Sequence, residues 1–435
     1  MAMSKTYCLY PFVNLNSNTE GSVKLCCSIN ENIHATDKDG RELNFGNNSV
    51  EEIWNSDYMT TIRKQLLNGE RPEACNVCWN LEDQGLRSSR QSAFAELKDR
   101  GLYAKDYQDS NPPMPQSLEL RLGNFCNLRC NSCWSLSSDR IYDERKRILK
   151  NECSTNNNSM PEWLTNEWNN EIILASQANW LWWENEEFVT SIKKVAPTLK
   201  RLYLTGGEPT LIKRNTEIMQ IILDSGNVDC YVALTTNLTN WDDNFFNTLS
   251  QFKNGEIQVS IDDVREKNEY IRFPTKWQKI EDNLAKITVT FPQSWMIKHY
   301  TVYQTYNYNS PSQILDWLHH YRSGFNYDRG RVYIWSPIIL DHPTYLNVRI
   351  IPLEVRREYA HYLRQYQPPM KIKQLWYRAG IEQICTLLEN VEELNNADMY
   401  RKQFIEYSNL LDKHRKNDKK WYELFDELAR SLKYE

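Results

Sequence analysis

The sequence lacks any long apolar run. No segment reaches the 18 or more apolar residues that a membrane-spanning helix needs, and the start, MAMSKTYC, lacks the basic and apolar regions of a signal peptide. Glycine is scarce, with 14 among 435 residues, whereas 15 tryptophans and 25 tyrosines make the chain unusually aromatic. We therefore expect a globular, cytoplasmic protein of two or three domains with no membrane partner.

An excess of positive charge is also absent. Lysine and arginine total 52 against 57 acidic residues, which gives a formal net charge of -5. This balance does not predict a broad nucleic-acid footprint, although an acidic total can conceal a local basic patch. The run KHRKNDKK from Lys413 to Lys420 is the one candidate patch, and a solvated helix end is its simpler interpretation.

What the chain does have is eleven cysteines, seven of them in clusters with metal-binding spacing. Without an export signal, such clusters indicate metal sites in a reducing compartment rather than disulfides. Cys126, Cys130 and Cys133 form CxxxCxxC directly after an apolar run that ends at Leu122. Structural zinc takes four protein ligands in a closed tetrahedron, whereas three cysteines leave one corner of a four-iron cluster without a protein ligand. That corner can bind a substrate or cofactor.

A second motif lies further along the chain, where a strand-like run ends in Gly206, Gly207 and Glu208. Glycines allow close backbone approach to a ligand, and the carboxylate of Glu208 can accept a hydrogen bond from an ammonium group. CxxxCxxC followed by GGE after a strand resembles the motifs of radical S-adenosylmethionine (SAM) enzymes. The resemblance implies a [4Fe-4S] cluster on the three clustered cysteines, SAM bound at its open iron, and the methionine amino group of SAM held by the GGE turn.

Strand and helix patterns alternate from residue 117 to about residue 337. Candidate strands, rich in Val, Ile, Leu, Tyr and Thr, lie at 117–122, 199–205, 228–235, 255–261, 296–306 and 330–336. Helical patterns separate them, so the sequence predicts an α/β fold with a parallel sheet and right-handed crossovers. Six such units agree with the partial (βα)6 TIM-like barrel of radical SAM enzymes. Ligands in such folds gather at the carboxyl ends of strands.

Two further strand ends carry polar residues, Thr236 and Asn237 at one and Ser260 and Asp262 at the other. These positions are similar to those that contact the ribose and carboxylate of SAM in the family. For Thr236 and Asn237, a plain turn role is an equal alternative. Ser132 stands where many family members have an aromatic residue near adenine, and the fifth strand has no clear glycine-rich signature. No adenine-contacting residue can therefore be assigned from the resemblance.

The amino-terminal region has an independent cysteine set. Cys8 and Cys26 frame the pattern Cx12Gx4C, and Cys75 and Cys78 form CxxC. The set resembles the twitch module, a shortened relative of the SPASM domain, which usually follows the barrel but precedes it here. It implies an auxiliary [4Fe-4S] cluster that conducts electrons or tunes potential, because four cysteines leave no free iron. Zinc is an alternative, since tetrathiolate zinc sites are common, and Cys27 is an alternative ligand to Cys26.

Together the motifs predict a twitch/SPASM-like module over 1–110, a radical SAM core over 111–340 with an insertion at about 151–187, and a helical region over 341–435. The resemblance implies an oxidoreductase-like enzyme that cleaves SAM to a 5'-deoxyadenosyl radical and abstracts a hydrogen from an unknown peptide, protein or small molecule. It also implies an external electron donor such as flavodoxin or ferredoxin. The alternatives are a zinc-binding interaction module and an Fe-S electron carrier that does not cleave SAM. No catalytic acid, base or hydrogen donor is identifiable.

Overall fold

The computed structural model describes residues 5–30, 33–83, 88–103, 106–153, 160–323, 331–367 and 375–434. The chain forms two compact units. The first comprises Met1–Phe125, Ala178–Thr235 and Asp242–Gly255, and the second comprises Cys126–Gln177, Thr236–Trp241 and Glu256–Glu435. Residues 154–159, in the expected insertion, and residue 330, the first of the sixth predicted strand, lie outside the described residues.

The first unit contains strands in the order β2-β1-β3-β4-β5. Their bounds are β1 Asn14–Ser17, β2 Val23–Lys24, β3 Ser117–Arg121, β4 Arg201–Thr205 and β5 Tyr231–Thr236. β1 pairs antiparallel with β2, whereas β1, β3, β4 and β5 are parallel. Alternate residues of a strand point to opposite faces. One face of β3 and β4 is therefore apolar, with Leu118, Leu120, Leu202 and Leu204 buried.

The second unit contains strands in the order β6-β7-β8-β9, all parallel. Their bounds are β6 Gly255–Ser260, β7 Met296–Tyr303, β8 Tyr333–Ile339 and β9 Leu375–Trp376. Its core is rich in aromatic side chains. The ring centroid of Tyr306 lies 4.8 Å from that of Phe404 and 5.3 Å from that of Phe425. Offset or tilted ring pairs at such distances add to the stabilisation from burial.

Helices connect the strands and form most of the carboxyl-terminal region. In α8, Asn185 caps the amino end, Glu186 and Glu187 occupy the first turn, and Lys193 and Lys194 the last, an order that favours a helix through capping and the helix dipole. The α-helices are α1 Tyr10–Val13, α2 Val50–Trp54, α3 Asp57–Leu67, α4 Asn76–Asp83, α5 Ser89–Lys98, α6 Asp139–Cys153, α7 Glu162–Gln177, α8 Glu186–Val195, α9 Lys213–Asp224, α10 Asp243–Leu249, α11 Arg265–Ile271, α12 Trp277–Thr290, α13 Pro311–Ser323, α14 Leu353–Arg364, α15 Arg378–Asn390, α16 Ala397–Arg415, α17 Trp421–Leu424 and α18 Asp426–Ser431. None of the helices in the described ranges is both long and apolar enough to cross a membrane.

The predicted α/β class and the helical carboxyl-terminal region are confirmed. All six predicted strands exist as β3 to β8, although β8 begins three residues later than predicted and continues through Pro337. β9 pairs with β8 at Tyr333 and Ile334. At Pro337, β8 is therefore paired with β7 on one side and is not paired with β9 on the other. A proline is tolerated on such an edge because no backbone N–H is needed there. The domain boundaries near residues 110 and 340 stay predictions.

Candidate functional site

The Gly-Gly-Glu turn follows β4 and lies against the residue that precedes Cys126. The N–H of Glu208 donates a hydrogen bond of 2.7 Å to the carbonyl oxygen of Phe125. Gly206 has a φ of +118°, and a Cβ added to Gly207 would lie 2.2 Å from that same oxygen. Gly206 thus has a conformation that favours glycine, and Gly207 lies too close to the neighbouring backbone to carry a Cβ. Both glycines are therefore needed for the turn to reach the backbone at Phe125.

The carboxylate of Glu208 is fully buried and held in place. Its Oε1 accepts hydrogen bonds from the N–H of Thr210 at 3.3 Å and from the Thr210 hydroxyl at 2.8 Å. These bonds fix the side chain at the start of a short helical turn, Pro209–Leu211. A role in binding the ammonium group of SAM stays a prediction for this residue.

In the second unit, the three cysteines of CxxxCxxC are free thiols and only partly exposed. Burial and the neighbouring Cys130 raise the pKa of the Cys133 thiol to about 12. Burial lowers the pKa of Arg272, but the adjacent Cys130, Asp262 and Cys126 outweigh it and raise that pKa above its usual value. The thiolate is the form that binds a metal, so cluster binding has to displace these protons.

Hydrogen bonds fix the start of this loop. The N–H of Cys126 donates to Oδ1 of Asp139 at 3.0 Å. Nδ2 of Asn127 donates to the hydroxyl of Thr239 at 2.8 Å, and its Oδ1 accepts from Nδ2 of Asn237 at 2.9 Å. Asn237, which the resemblance implies as a SAM contact, therefore supports the cysteine loop through Asn127.

The backbone of the loop also pairs with the segment that follows α11. The N–H of Arg129 donates to the carbonyl oxygen of Phe273 at 2.6 Å, and that of Asn131 to Ile271 at 2.8 Å. Arg272 lies between these two acceptors in the chain. This pairing fixes the backbone from which the guanidinium of Arg272 approaches the cysteines.

A buried arginine at the end of α16 holds the same loop from the carboxyl-terminal region. Arg415 donates to Oδ1 of Asn131 at 2.6 Å and to the carbonyl oxygen of Arg129 at 2.8 Å. It also binds both carboxylate oxygens of Glu144, at 3.1 and 2.8 Å. The hydroxyl of Tyr407 donates to the carbonyl oxygen of Asn131 at 2.7 Å. Helix α16 is thus part of the support of the candidate cluster site.

Two more arginines complete this support. Nη2 of Arg145 donates to the carbonyl oxygen of Cys133 at 3.1 Å, and the guanidinium pairs with Glu171. Arg272 pairs with Asp262 at 2.9 Å. Both arginine side chains are at most 12% exposed. Positive charge therefore lies close to a loop that would carry thiolates.

Two of the three remaining predicted SAM contacts accept hydrogen bonds from backbone N–H groups of the protein. The hydroxyl of Thr236 accepts from the N–H of Leu238 at 2.9 Å, which is a turn role. The buried Asp262 accepts from the N–H of Val302 at 2.8 Å. Ser260 ends β6 and is partly exposed. SAM binding by these three residues stays a prediction.

In the first unit, four cysteines line one small pocket: Cys8, Cys26, Cys75 and Cys78. Burial and the nearby Cys75 raise the pKa of Cys8, and burial and Cys78 raise the pKa of Cys75 to about 12. The other pocket residues are Tyr10, Pro11, Leu25, Ser28, Ile29 and Arg90. Cys27 is exposed and is not among the pocket residues. This geometry favours Cys26 over Cys27 as the ligand.

The donor set suits an iron-sulfur cluster. In the part of the chain that the structure describes, no three His, Cys, Asp or Glu side chains are grouped as ligands of a single metal ion. All four donors at the pocket are sulfur, the ligand type that holds Fe-S clusters.

Two family models match the chain. The model of the radical SAM superfamily matches residues 120–318. The chain therefore contains a radical SAM domain. The model of SPASM, an iron-sulfur cluster-binding domain, matches residues 8–79 and precedes the radical SAM domain, as predicted. A [4Fe-4S] cluster and SAM are therefore its cofactors, together with an auxiliary Fe-S cluster, and members of the superfamily are enzymes.

Several solved structures are similar to the chain. One, native anSMEcpe with bound AdoMet and Cp18Cys peptide, is 14% identical, with 57% of this chain and 58% of that chain covered and a TM-score of 0.32. SuiB from Streptococcus suis bound to S-adenosylmethionine is 13% identical, with 62% and 47% covered and a TM-score of 0.32. A second SuiB structure is 13% identical, with 73% of this chain and 63% of that chain covered and a TM-score of 0.35. The chain spans less than two thirds of the length of each of these. No curated protein sequence matches it.

Sequence reasoning missed the residues that support the cysteine loop. Asn127 lies inside CxxxCxxC, so an amide next to a ligand was a usable signal. Arg145, Arg272 and Arg415 follow no local pattern that points to the loop, and only the fold brings them there.

Proposed function

We propose that this enzyme reductively cleaves SAM and abstracts a hydrogen atom from its substrate, which makes it oxidoreductase-like. The observation that carries the proposal is the hydrogen bond from Glu208 to Phe125, which sets the Gly-Gly-Glu turn against the residue before the three-cysteine motif. Cys126, Cys130 and Cys133 would hold a four-iron cluster with one iron free for SAM, and such a cluster would supply the electron for cleavage to the 5'-deoxyadenosyl radical.

The chain's own residues have three tasks at this site. Cys126, Cys130 and Cys133 would hold the cluster and lose their protons to it. Gly206 and Gly207 let the turn approach closely, and the Glu208 carboxylate would accept from the amino group of SAM. The arginines around the loop supply positive charge, which partly compensates the thiolates.

Cys8, Cys26, Cys75 and Cys78 would hold the auxiliary cluster. Four cysteine ligands leave it no iron for a substrate, so it would accept the electron that leaves the substrate radical, which completes a two-electron oxidation of the substrate such as an oxidative linkage. A peptide or protein is the proposed substrate class, on the resemblance to enzymes with twitch and SPASM modules, and a small molecule is the alternative. A flavodoxin or ferredoxin would supply electrons. We place the enzyme in the cytoplasm, since seven cysteines proposed as cluster ligands, with none of the eleven in a disulfide, suit a reducing compartment.

Metal analysis after anaerobic reconstitution separates this proposal from its rivals. Two clusters give about eight iron and about eight sulfide per chain. Zinc at both sites, with no visible Fe-S absorbance, would contradict it and favour the zinc-binding interaction module. An electron carrier that does not use SAM would hold both clusters, yet the electron paramagnetic resonance (EPR) spectrum of its reduced cluster would not change when SAM is added.

A further inference from the structure

Polar and charged side chains share one face of the sheet in the first unit. Asn16 of β1, Glu119 of β3 and Tyr203 of β4 lie opposite one another in neighbouring strands. Arg121 and Arg201 are two residues from Glu119 and Tyr203 along the same strands, so their side chains leave the sheet on the same face. These five residues form the polar cluster.

The polar cluster has an excess of positive charge. Nη2 of Arg121 donates to Oε1 of Glu119 at 2.8 Å, and the guanidinium of Arg201 lies 4.9 Å from the ring centroid of Tyr203. The Tyr203 hydroxyl is hydrogen-bonded to that of Thr235 at 2.8 Å and stays neutral, because burial and Glu119 raise its pKa to about 12. Two arginines and one glutamate give these five residues a formal charge of +1.

Two donors of the polar cluster point to a ligand. Asn16 is fully buried, yet neither its Nδ2 nor its Oδ1 has a hydrogen-bond partner among the described residues. Leaving a buried amide unpaired is unfavourable, so its retention needs a reason. The Arg121 side chain is 23% exposed, and a guanidinium has five N–H donors, more than the Glu119 oxygen satisfies.

We propose that the polar cluster binds a carboxylate of the substrate, with Arg121 as the charged donor and Asn16 as the neutral one. A guanidinium matches a carboxylate because two parallel N–H groups meet its two oxygens. The Cβ of Arg121 lies 3.2 Å from a Cβ built on Gly206, so the carboxylate would lie beside the Gly-Gly-Glu turn. The inference rests on the proposed function, and it narrows the substrate to an acidic peptide or a small carboxylic acid.

Calorimetric titration of the reconstituted full chain with N-acetylaspartate, in the presence of SAM, tests this site. We expect N-acetylaspartate to bind about tenfold or more tightly than N-acetylasparagine. Arg121→Gln should weaken its binding by about ten- to a hundredfold, the loss of a charge-assisted contact. The matched control, Arg41→Gln, changes an arginine whose side chain is 74% exposed and should leave binding unchanged.

Asn16→Leu provides a second test of the proposed carboxylate site if Arg121→Gln fails to fold. Removing an unpaired buried amide should raise the melting midpoint of the ligand-free protein while weakening N-acetylaspartate binding. A purely structural Asn16 would instead give a lower midpoint and unchanged binding, which overturns the inference.

Control ligands test whether the group bound at this site is a carboxylate and whether it belongs to the substrate. Equal binding of the aspartate and asparagine probes, or tighter binding of inorganic phosphate, overturns the carboxylate assignment. If SAM competes with N-acetylaspartate, the site holds the carboxylate of SAM, and the substrate assignment fails. SAM cleavage by the wild-type protein is measured in parallel: cleavage without carboxylate binding refutes only this inference, and carboxylate binding without cleavage refutes only the proposed function.

Discussion

Replacing Arg415 by methionine tests whether helix α16 supports the cysteine loop. The substitution keeps much of the apolar side chain but removes hydrogen bonds to Asn131, to the carbonyl oxygen of Arg129 and to both oxygens of Glu144. Glu144 has a side chain only 3% exposed, so its charge then lacks its main partner. The variant should therefore lose both stability and iron binding.

The magnitude follows from the burial of this ion pair. Removing one partner of a buried pair destabilises by about 3–5 kcal/mol. Arg129 remains 3.4 Å from Glu144, so we expect the lower end, about 3 kcal/mol. For a cooperative unit of about 150–250 residues, each kcal/mol corresponds to about 2–4 °C, which predicts a melting midpoint lower by about 6–12 °C.

The effect should depend on pH. Burial raises the pKa of Glu144, but Arg415 outweighs burial, and the net pKa lies below its usual value. A carboxyl group with a lowered pKa stabilises the fold above its unfolded pKa, and that contribution is lost as the pH falls through the folded value. The difference between wild type and Arg415→Met should therefore shrink when the pH is lowered from 7 to below about 4.

Thermal unfolding of the cluster-free chain, with iron analysis of the reconstituted chain, measures both effects. The control is Arg430→Met, because the Arg430–Asp426 pair in α18 is exposed, at 73% and 67%, and should change stability by less than about 0.5 kcal/mol. Equal midpoints and equal iron contents in the two variants would refute the role of α16.

Other substitutions test the remaining parts of the site. Cys75→Ala should lower the iron content from about eight to about four atoms per chain, whereas Cys27→Ala, at an exposed thiol, should keep about eight by mass spectrometry. Gly207→Ala puts a Cβ 2.2 Å from a backbone oxygen and should slow SAM cleavage by about a hundredfold, whereas Gly226→Ala, with no atom within 4 Å, should not. Arg272→Gln removes positive charge near two cysteines, so an EPR-monitored titration should give a more negative cluster potential. Eight irons in Cys75→Ala, equal rates for the two glycine variants, or an unchanged potential would contradict these expectations.

The fold and the two cysteine groups could be predicted because their signals are local. Strand runs rich in Val, Ile, Leu, Tyr and Thr identify β3 to β8, and cysteine spacing identifies both sulfur sets. The extension of β8 through Pro337 was not predictable from the sequence, since tolerance of a proline depends on which neighbouring strands pair there.

The residues that surround the cysteine loop could not be predicted from sequence patterns. Arg415 is 284 residues from Asn131 in the chain, and only tertiary packing joins them. Short polar residues at strand ends carry an ambiguous signal, because they satisfy backbone groups as readily as they bind a ligand. Thr236 illustrates this ambiguity, since its hydroxyl accepts from the N–H of Leu238.

The most direct test of the central proposal is the release of 5'-deoxyadenosine from SAM. The reconstituted full-length protein is incubated anaerobically with dithionite and SAM, and the product is quantified by liquid chromatography and mass spectrometry. The account predicts release by the wild type and none after replacement of Cys126, Cys130 and Cys133 by alanine. Absence of 5'-deoxyadenosine from a wild-type protein that holds both clusters, or equal release by the triple variant, would contradict it.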